Sequence, residues 1–259
     1  MLNRRSCLGG VAALLCLDDG QAQEPAHPKP IVLAMIRTEE QFLGRWQRLI
    51  YRDAFARLGR DVVFVDYPAA RASVELDRGT VDGEGGRPLS YVDSSPNIVR
   101  LKVPLFEVNY VAFVRRADRG KPLGGWDSLK GFPGVVAYKS GVYTTTTNLP
   151  KVLPANQLIG LPETERGLKM LAMGRSDLYI DEEMTILTAL SSPELADLPL
   201  VRAGILGTPG VYCYLHQRHA ELAGKLGDVI AQMQRQGDIE RYRRRTEKEF
   251  SVNAAKWLD

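Results

Sequence analysis

Leu76-Asp77-Arg78-Gly79-Thr80-Val81-Asp82 and Leu171-Ala172-Met173-Gly174-Arg175-Ser176-Asp177 share the pattern Leu-x-x-Gly-x-x-Asp. In each, a helical segment runs into a glycine, the residue that closes a helix in the left-handed conformation at least cost. A short strand follows each. Each copy sits late in its own β-α-β-α series, so the pair predicts two similarly built lobes.

Working outward from the first copy, Ile31-Val32-Leu33-Ala34-Met35-Ile36 is a continuous apolar run and reads as a buried parallel strand. Thr38 to Gln41 fits a capping box. Trp46, Leu49, Ile50, Ala54, Phe55 and Leu58 then recur at helical spacing. Gly59 stops that helix, and Val62-Val63-Phe64-Val65 is the next strand. A β-α-β unit of this kind implies a parallel sheet. Between the copies, Val111 to Val114 is a strand and Trp126-Asp127-Ser128-Leu129-Lys130-Gly131 is a short helix with a glycine stop. Val135 to Tyr138 is a strand that ends at Lys139-Ser140-Gly141, and a helix begins in the Thr144 to Thr147 run. After the second copy, Asp177 to Ile180 is a strand with Asp181 at its carboxyl end, and Glu183 to Leu190 is helical. Gly207 to Leu215 is a strand returning to the first lobe. Ala220 to Phe250 is helical, with Leu222, Leu226, Ile230 and Met233 on one face.

The expected fold is therefore α/β and two-lobed. Each lobe is a central, mostly parallel sheet flanked by helices, and two strands form the hinge. Lobe 1 takes residues 31–110 and 208–259, and lobe 2 takes 111–207. The chain crosses between them near 110–115 and 202–212. Ligands of open parallel sheets bind beyond the carboxyl ends of the strands, so both lobes are expected to face one cleft.

The N-terminus places this fold outside the cytoplasm. Arg4 and Arg5 precede an uncharged stretch from Leu8 to Leu17, and Gly20-Gln21-Ala22 offers a small-residue cleavage point. That is the layout of a signal peptide over residues 1–22, followed by a Pro-rich spacer over 23–30. The apolar run is far short of the ~20 residues that span a bilayer. The sequence leaves the export route, general or twin-arginine, open. Of the three cysteines, Cys7 and Cys16 lie in that leader, and only Cys213 remains. No internal disulfide is then possible, and Cys213, set in Val211-Tyr212-Cys213-Tyr214-Leu215, reads as a small buried apolar residue. Lys+Arg 34 against Asp+Glu 31 gives a net charge of +3, too weak a field for nucleic-acid binding. The basic run at Arg241–Arg245 is interleaved with acids nearby and reads as a solvated helix face.

These features, in this order, resemble the extracellular solute-binding protein family 3, the soluble receptors of ABC transporters. The resemblance spans Pro30 to Phe250 and rests on Leu76–Asp82, on Trp126–Gly131 leading into Val135–Gly141, and on Gly174–Asp177 followed by Asp181. It implies a monomer that closes on a small-molecule ligand and hands it to a membrane permease. Amino-acid binders of that family commonly carry a Thr-x-x-Arg segment about a dozen residues after the first Gly-x-x-Asp. Here the stretch reads Gly83-Glu84-Gly85-Gly86-Arg87-Pro88-Leu89-Ser90-Tyr91, without it. An amino-acid ligand therefore does not follow from the resemblance.

Arg87 is the candidate substitute anchor, since a guanidinium grips carboxylates bidentately. Glu84 is its expected orienter. Arg37 follows the first strand at its carboxyl end. Ser140, Thr144 and Thr145 lie where backbone N–H groups at a helix start hold an anion. Asp181 is placed to meet an ammonium or to cap the following helix, and Tyr110 to stack on or hydrogen-bond a ligand. His216 and His219 are too few for a metal site, and the chain has no phosphate loop, Gly-x-Ser-x-Gly or His-Glu-x-x-His. The reading is a periplasmic binder of a small polar, carboxylate-bearing molecule, without cofactor or metal. Two alternatives share the fold: a dehydratase with Arg87 holding a carboxylate and Glu84 or Asp181 as general acid, and a soluble sensory partner of a membrane receptor.

Overall fold

The computed structural model describes residues 29–258, so the leader lies outside the described residues. In chain order the regular elements are β1 (Ile31–Met35), α1 (Phe42–Arg57), β2 (Val62–Asp66), α2 (Ala69–Asp77), β3 (Gly83–Arg87), β4 (Ile98–Arg100), β5 (Phe106–Glu107) and β6 (Tyr110–Arg115). They continue with β7 (Leu123–Gly124), β8 (Val136–Lys139), α3 (Tyr143–Val152), β9 (Leu158–Leu161), α4 (Thr164–Ala172), β10 (Leu178–Glu182) and α5 (Glu183–Leu190). The last are β11 (Leu200–Gly207), β12 (Gly210–His216), α6 (Ala220–Arg235), α7 (Asp238–Glu249) and α8 (Ala255–Leu258).

The strands form two sheets. The first runs β2-β1-β3-β12-β4, with β5 also on β12; the second runs β7-β11-β6-β10-β8-β9. In the first, β1 pairs in parallel with β2 and β3, while β12 lies antiparallel to β3 and β4. In the second, β8 pairs in parallel with β9 and β10, while β6 lies antiparallel to β10 and β11. Both sheets are thus mixed rather than mostly parallel. The reason is the hinge: β6 and β12 each enter from the other lobe, so they arrive running against their neighbours.

The chain passes between the sheets at Val108-Asn109 and at Thr208-Pro209, where the Val108 N–H donates to the Pro209 carbonyl at 3.1 Å. It also passes a third time. Beyond Phe250 the tail leaves the first lobe, and Trp257, 2% exposed, packs with Val111, Phe113, Leu190 and Leu200 of the second. A buried tryptophan gains a large apolar contact area there.

The apolar face of α1, with Trp46, Ile50, Ala54 and Phe55, packs on Leu33, Met35 and Phe106 and on α6 through Leu226 and Ile230. Each fully buried aliphatic side chain there contributes roughly 1.5–3 kcal/mol. Gln41 Oε1 accepts the Thr38 N–H at 3.1 Å, half of the expected capping box, but the helix proper starts at Phe42, so this contact closes the turn before it. Gly79 and Gly174 both adopt positive φ, 71° and 69°, at the ends of α2 and α4. Cys213 is fully buried in β12, and burial pushes its thiol up to about 12.

Candidate functional site

The carboxyl ends of β1 and β3 in the first sheet and of β8 and β10 in the second meet around a cavity of about 100 Å³. A wider groove of about 700 Å³ continues from it, bordered by Glu40, Lys139, Ser140, Thr164 and Asp181. The cavity's polar lining is Arg37, Gln47, Arg87, Tyr110, Tyr143, Thr144 and Glu182, set among Leu43, Phe106, Val108, Val142 and Val211.

Arg37 sits on the turn that leaves β1. The buried Arg48 of α1 fixes that turn by donating to the Arg37 and Gly44 carbonyls at 2.8 and 3.0 Å, and it pairs with Asp66. The Arg37 guanidinium crosses the cleft to Glu182 Oε1 at the end of β10. Tyr110 donates its hydroxyl to the same oxygen at 2.9 Å, and Thr185 Oγ1 lies 3.5 Å from Oε2. Burial, reinforced by the Glu182 carboxylate, raises the Tyr110 hydroxyl far above the usual phenol range, so it stays a donor.

Arg87 ends β3 and faces the cavity, but much of its guanidinium is already engaged. Nε donates to Glu84 Oε1 at 2.5 Å, Nη2 donates to the Ala69 carbonyl at 2.5 Å and to Ser73 Oγ at 2.9 Å, and the group stacks on Tyr91. Glu84 is fully buried behind it; burial raises its carboxyl pKa against the pull of Arg87. Glu84 therefore orients Arg87 and lies away from the cavity wall.

Thr144 lies on the wall, in the first turn of α3. Thr145 points inward instead and donates to the Lys139 and Val142 carbonyls at 3.1 and 3.0 Å. Ser140 borders the side groove, and its N–H joins the Leu161 carbonyl at 2.9 Å. Asp181 is inside β10 rather than beyond it. Oδ2 accepts from Thr164 at 2.7 Å and from Tyr179 at 3.2 Å, and Oδ1 accepts the Glu182 N–H at 2.7 Å. Burial, with the nearby Glu182 carboxylate, pushes its carboxyl up to about 7, against the Thr164 and backbone hydrogen bonds. The residue that reaches the central cavity from this strand is Glu182, while Asp181 borders the side groove.

Sequence reasoning passed over three polar wall residues, Glu182, Gln47 and Tyr143. Glu182 follows Asp177 by the same interval at which Arg87 follows Asp82, so aligning the two copies would have found it. Gln47 shares a helix face with Leu43, Ile50 and Ala54, and a lone amide on an apolar face is a visible irregularity. Its Nε2 packs against Gly86, where φ is 135° and a Cβ would come within 2.5 Å. Only glycine lets the strand and the amide approach this closely.

Among the described residues no group of three or more His, Cys, Asp or Glu is placed to hold a metal ion, and no helix is long and apolar enough to cross a membrane.

No known family profile matches the sequence. An uncharacterized protein of Shewanella oneidensis is 32% identical over 216 residues, which cover 83% of this chain and 81% of that one. Among solved structures, a histidine kinase sensor domain with similarity to periplasmic binding proteins superposes with a TM-score of 0.66 at 19% identity, covering 85% of this chain and 96% of that one. An ancestral arginine-binding protein bound to arginine gives 0.63 at 15% identity, covering 85% and 98%. An amino acid ABC transporter substrate-binding protein from Streptococcus pneumoniae, bound to L-arginine, gives 0.63 at 13% identity, covering 86% and 96%. At these identities the likeness is one of fold: the chain has the two-lobed periplasmic-binding-protein architecture.

Proposed function

The chain belongs to one family with the uncharacterized Shewanella oneidensis protein, and from the two-lobed architecture and the cleft we propose that it is an exported solute-binding protein. It captures a small polar, carboxylate-bearing molecule between its lobes and delivers it to an ABC transporter. The observation that carries this reading is the cavity at the facing strand ends, walled by Arg37 and Arg87 from one lobe and by Tyr110, Thr144 and Glu182 from the other. A ligand touching both walls favours the closed arrangement by its differential affinity for it. The paired crossings at Val108-Asn109 and Thr208-Pro209 are the natural hinge. No catalysis is required, and the unit that works is the monomer.

Native mass spectrometry of protein taken from its own periplasm, followed by a thermal-shift titration with the mass identified, tests this. The expected result is a co-purified small molecule that raises Tm, with Arg37→Ala abolishing the shift. A broad solute panel that leaves Tm unchanged would overturn the reading. The likeness to a histidine kinase sensor domain favours one second reading, a soluble partner that reports the same ligand to a receptor. Crosslinking the ligand-loaded protein in native membranes separates the two, through capture of a permease or of a sensor.

A further inference from the structure

The unspent polar groups around the central cavity are donors. Among the described residues its wall holds one carboxylate, Glu182, which already receives Arg37 and Tyr110. Glu84 is sealed behind Arg87, and Asp181 borders the side groove with both oxygens satisfied from within the second lobe. Arg37 Nε and Nη1 and Arg87 Nη1, by contrast, have no protein acceptor among the described residues. Gln47 adds a further donor. Its side chain is buried and its Oε1 is shut into the protein interior, while Nε2 is the end that lies against Gly86, on the cavity wall next to Arg87. Nε2 has no protein acceptor among the described residues either. A buried amide N–H without an acceptor forfeits its hydration, so a ligand oxygen set against it gains a hydrogen bond that nothing in the protein supplies.

Resting on the binding-protein reading, we infer that the cavity takes a small 2-oxocarboxylate: its carboxylate lies on the unpaired N–H groups of Arg37 and Arg87, and its oxo oxygen accepts from Gln47 Nε2. Gln47 is then the specificity-determining residue, contributed by α1 and not by a strand end. Every oxygen of such a ligand is an acceptor, and every one of these three wall groups is a donor. An ammonium in place of the oxo group would face two guanidiniums and an amide N–H, and would have to win Glu182 from Arg37 and Tyr110. A hydroxyl there can accept from Gln47 but must turn its own proton away from the donors around it. A saturated carbon leaves Nε2 unpaired. A site built to hydrogen-bond one ligand atom rejects the analogue that lacks it, because the site's own buried group is then left without a partner. The apolar remainder of the wall, Leu43, Phe106 and Val108, suits a short carbon skeleton. A cavity of about 100 Å³ is well below the range of drug-sized sites.

Isothermal titration of the protein with pyruvate, L-lactate, propionate and L-alanine tests the inference, each on the wild type, on Gln47→Leu and on Gln47→Glu. The probes share a carbon skeleton and differ at the carbon beside the carboxylate, which bears an oxo group, a hydroxyl, hydrogen alone or an ammonium. Pyruvate is expected to bind about ten-fold more tightly than propionate or alanine, the worth of one buried hydrogen bond, and about three-fold more tightly than lactate. Gln47→Leu should bring pyruvate down to the affinity of propionate. Gln47→Glu, which sets an anion where the oxo oxygen lies, should weaken pyruvate further. Alanine or lactate binding as well as pyruvate, a preference for pyruvate over propionate that survives in Gln47→Leu, or no binding by any of the four would overturn it. The wild-type ranking decides even if a variant fails to fold. A co-purified ligand of different chemistry would sink this inference and leave the binding-protein reading standing. A flat thermal-shift panel would remove both.

Discussion

In the first lobe, Asp82 Oδ2 accepts the Val32 N–H at 2.8 Å while the Asp82 N–H donates to the Val32 carbonyl at 2.8 Å; in the second, Asp177 and Val135 make the same two bonds at the same distances. The repeated Gly-x-x-Asp is thus a clasp that fixes the start of β1 in the first sheet and of β8 in the second, each the second strand in from an edge. An arginine secures each turn: Arg218 donates to the Gly79 carbonyl at 2.6 Å, and Arg115 donates to the Leu171 and Ser176 carbonyls at 3.0 and 2.7 Å. From this shared base the lobes diverge at the strand tips. Five residues past each clasp the strand delivers Arg87 in one lobe and Glu182 in the other. One frame therefore presents opposite charges to the cleft, and the residues between clasp and tip, glycines in β3 and a buried Asp181 in β10, decide how.

The two clasps are not equally deep, and that is where the equivalence breaks first. The Asp82 side chain is 15% exposed and also meets Arg218 Nη2 at 2.6 Å and His219 Nε2 at 2.7 Å, whereas Asp177 is 44% exposed and 3.6 Å from Arg115. Asp82→Ala is expected to cost about 3 kcal/mol and Asp177→Ala about 1 kcal/mol, from the worth of charge-assisted hydrogen bonds at the two depths. Denaturant titration measures both. Equal costs would mean that the clasp's strength resides in the backbone pairing alone. The difference extends to pH. Burial works against the Asp82 carboxylate, but the Val32 N–H, Arg218 and His219 outweigh it and hold its pKa below the ordinary value. Its contribution is present above the unfolded-state pKa and is lost as pH falls through the lower folded value. Asp82→Ala should therefore flatten the acid limb of the stability curve.

The clasps were legible in the sequence because they depend on identity at fixed spacing: a glycine that must take positive φ, and an aspartate three residues on. β1, α1 and β2 were legible for a similar reason, since continuous apolar runs and helical periodicity are local. The sheets' mixed order was not, because it depends on where β6 and β12 re-enter from across the hinge. Nor was the route of the tail, which Trp257 determines by finding an apolar patch that only the folded second lobe creates. Within the site, Arg37 and Tyr110 could be placed from strand ends. Asp181 was placed one residue too far out, because β10 runs on through Glu182. Alternation along that extra residue turns Asp181 inward and Glu182 to the cleft.

Asp181 offers a second way to sharpen the contrast, because the matching position in the first lobe is Gly86 and cannot titrate. Its carboxyl, pushed up to about 7 by burial with Glu182 adding to the effect, binds a proton more readily folded than unfolded. Its contribution to stability is full below the unfolded-state value and declines as pH rises toward 7. Asp181→Asn keeps an acceptor for Thr164 and removes the titration. Its Tm should vary less between pH 4 and pH 7 than that of the wild type. An unchanged pH profile would show that Asp181 is ionised in the folded protein across that range.

The smallest expected effect on stability falls on the residue that matters most for the cleft. Glu182→Gln removes the charge that Arg37 reaches across to find, yet it keeps an amide oxygen for Arg37 and Tyr110, and the Arg37 side chain, 22% exposed against 6% for Glu182, can turn its charge toward water, so the cost should be about 1 kcal/mol. Folding should hardly notice. The relation between the lobes should, because among the described side-chain ion pairs this one joins the two facing strand ends directly, while the hinge, the tail and the packing of Val142 and Met184 on the first lobe's core join them elsewhere. Small-angle scattering of ligand-free Glu182→Gln is expected to show a larger radius of gyration than the wild type. Arg87→Gln is the matching change at the equivalent tip, and it should leave the radius unchanged, because Arg87 is bonded within its own lobe to Glu84, Ala69 and Ser73. If both variants open, or neither does, the two tips are equivalent after all, and what holds the lobes together lies in the hinge, the tail and the apolar contacts of Val142 and Met184 with the first lobe.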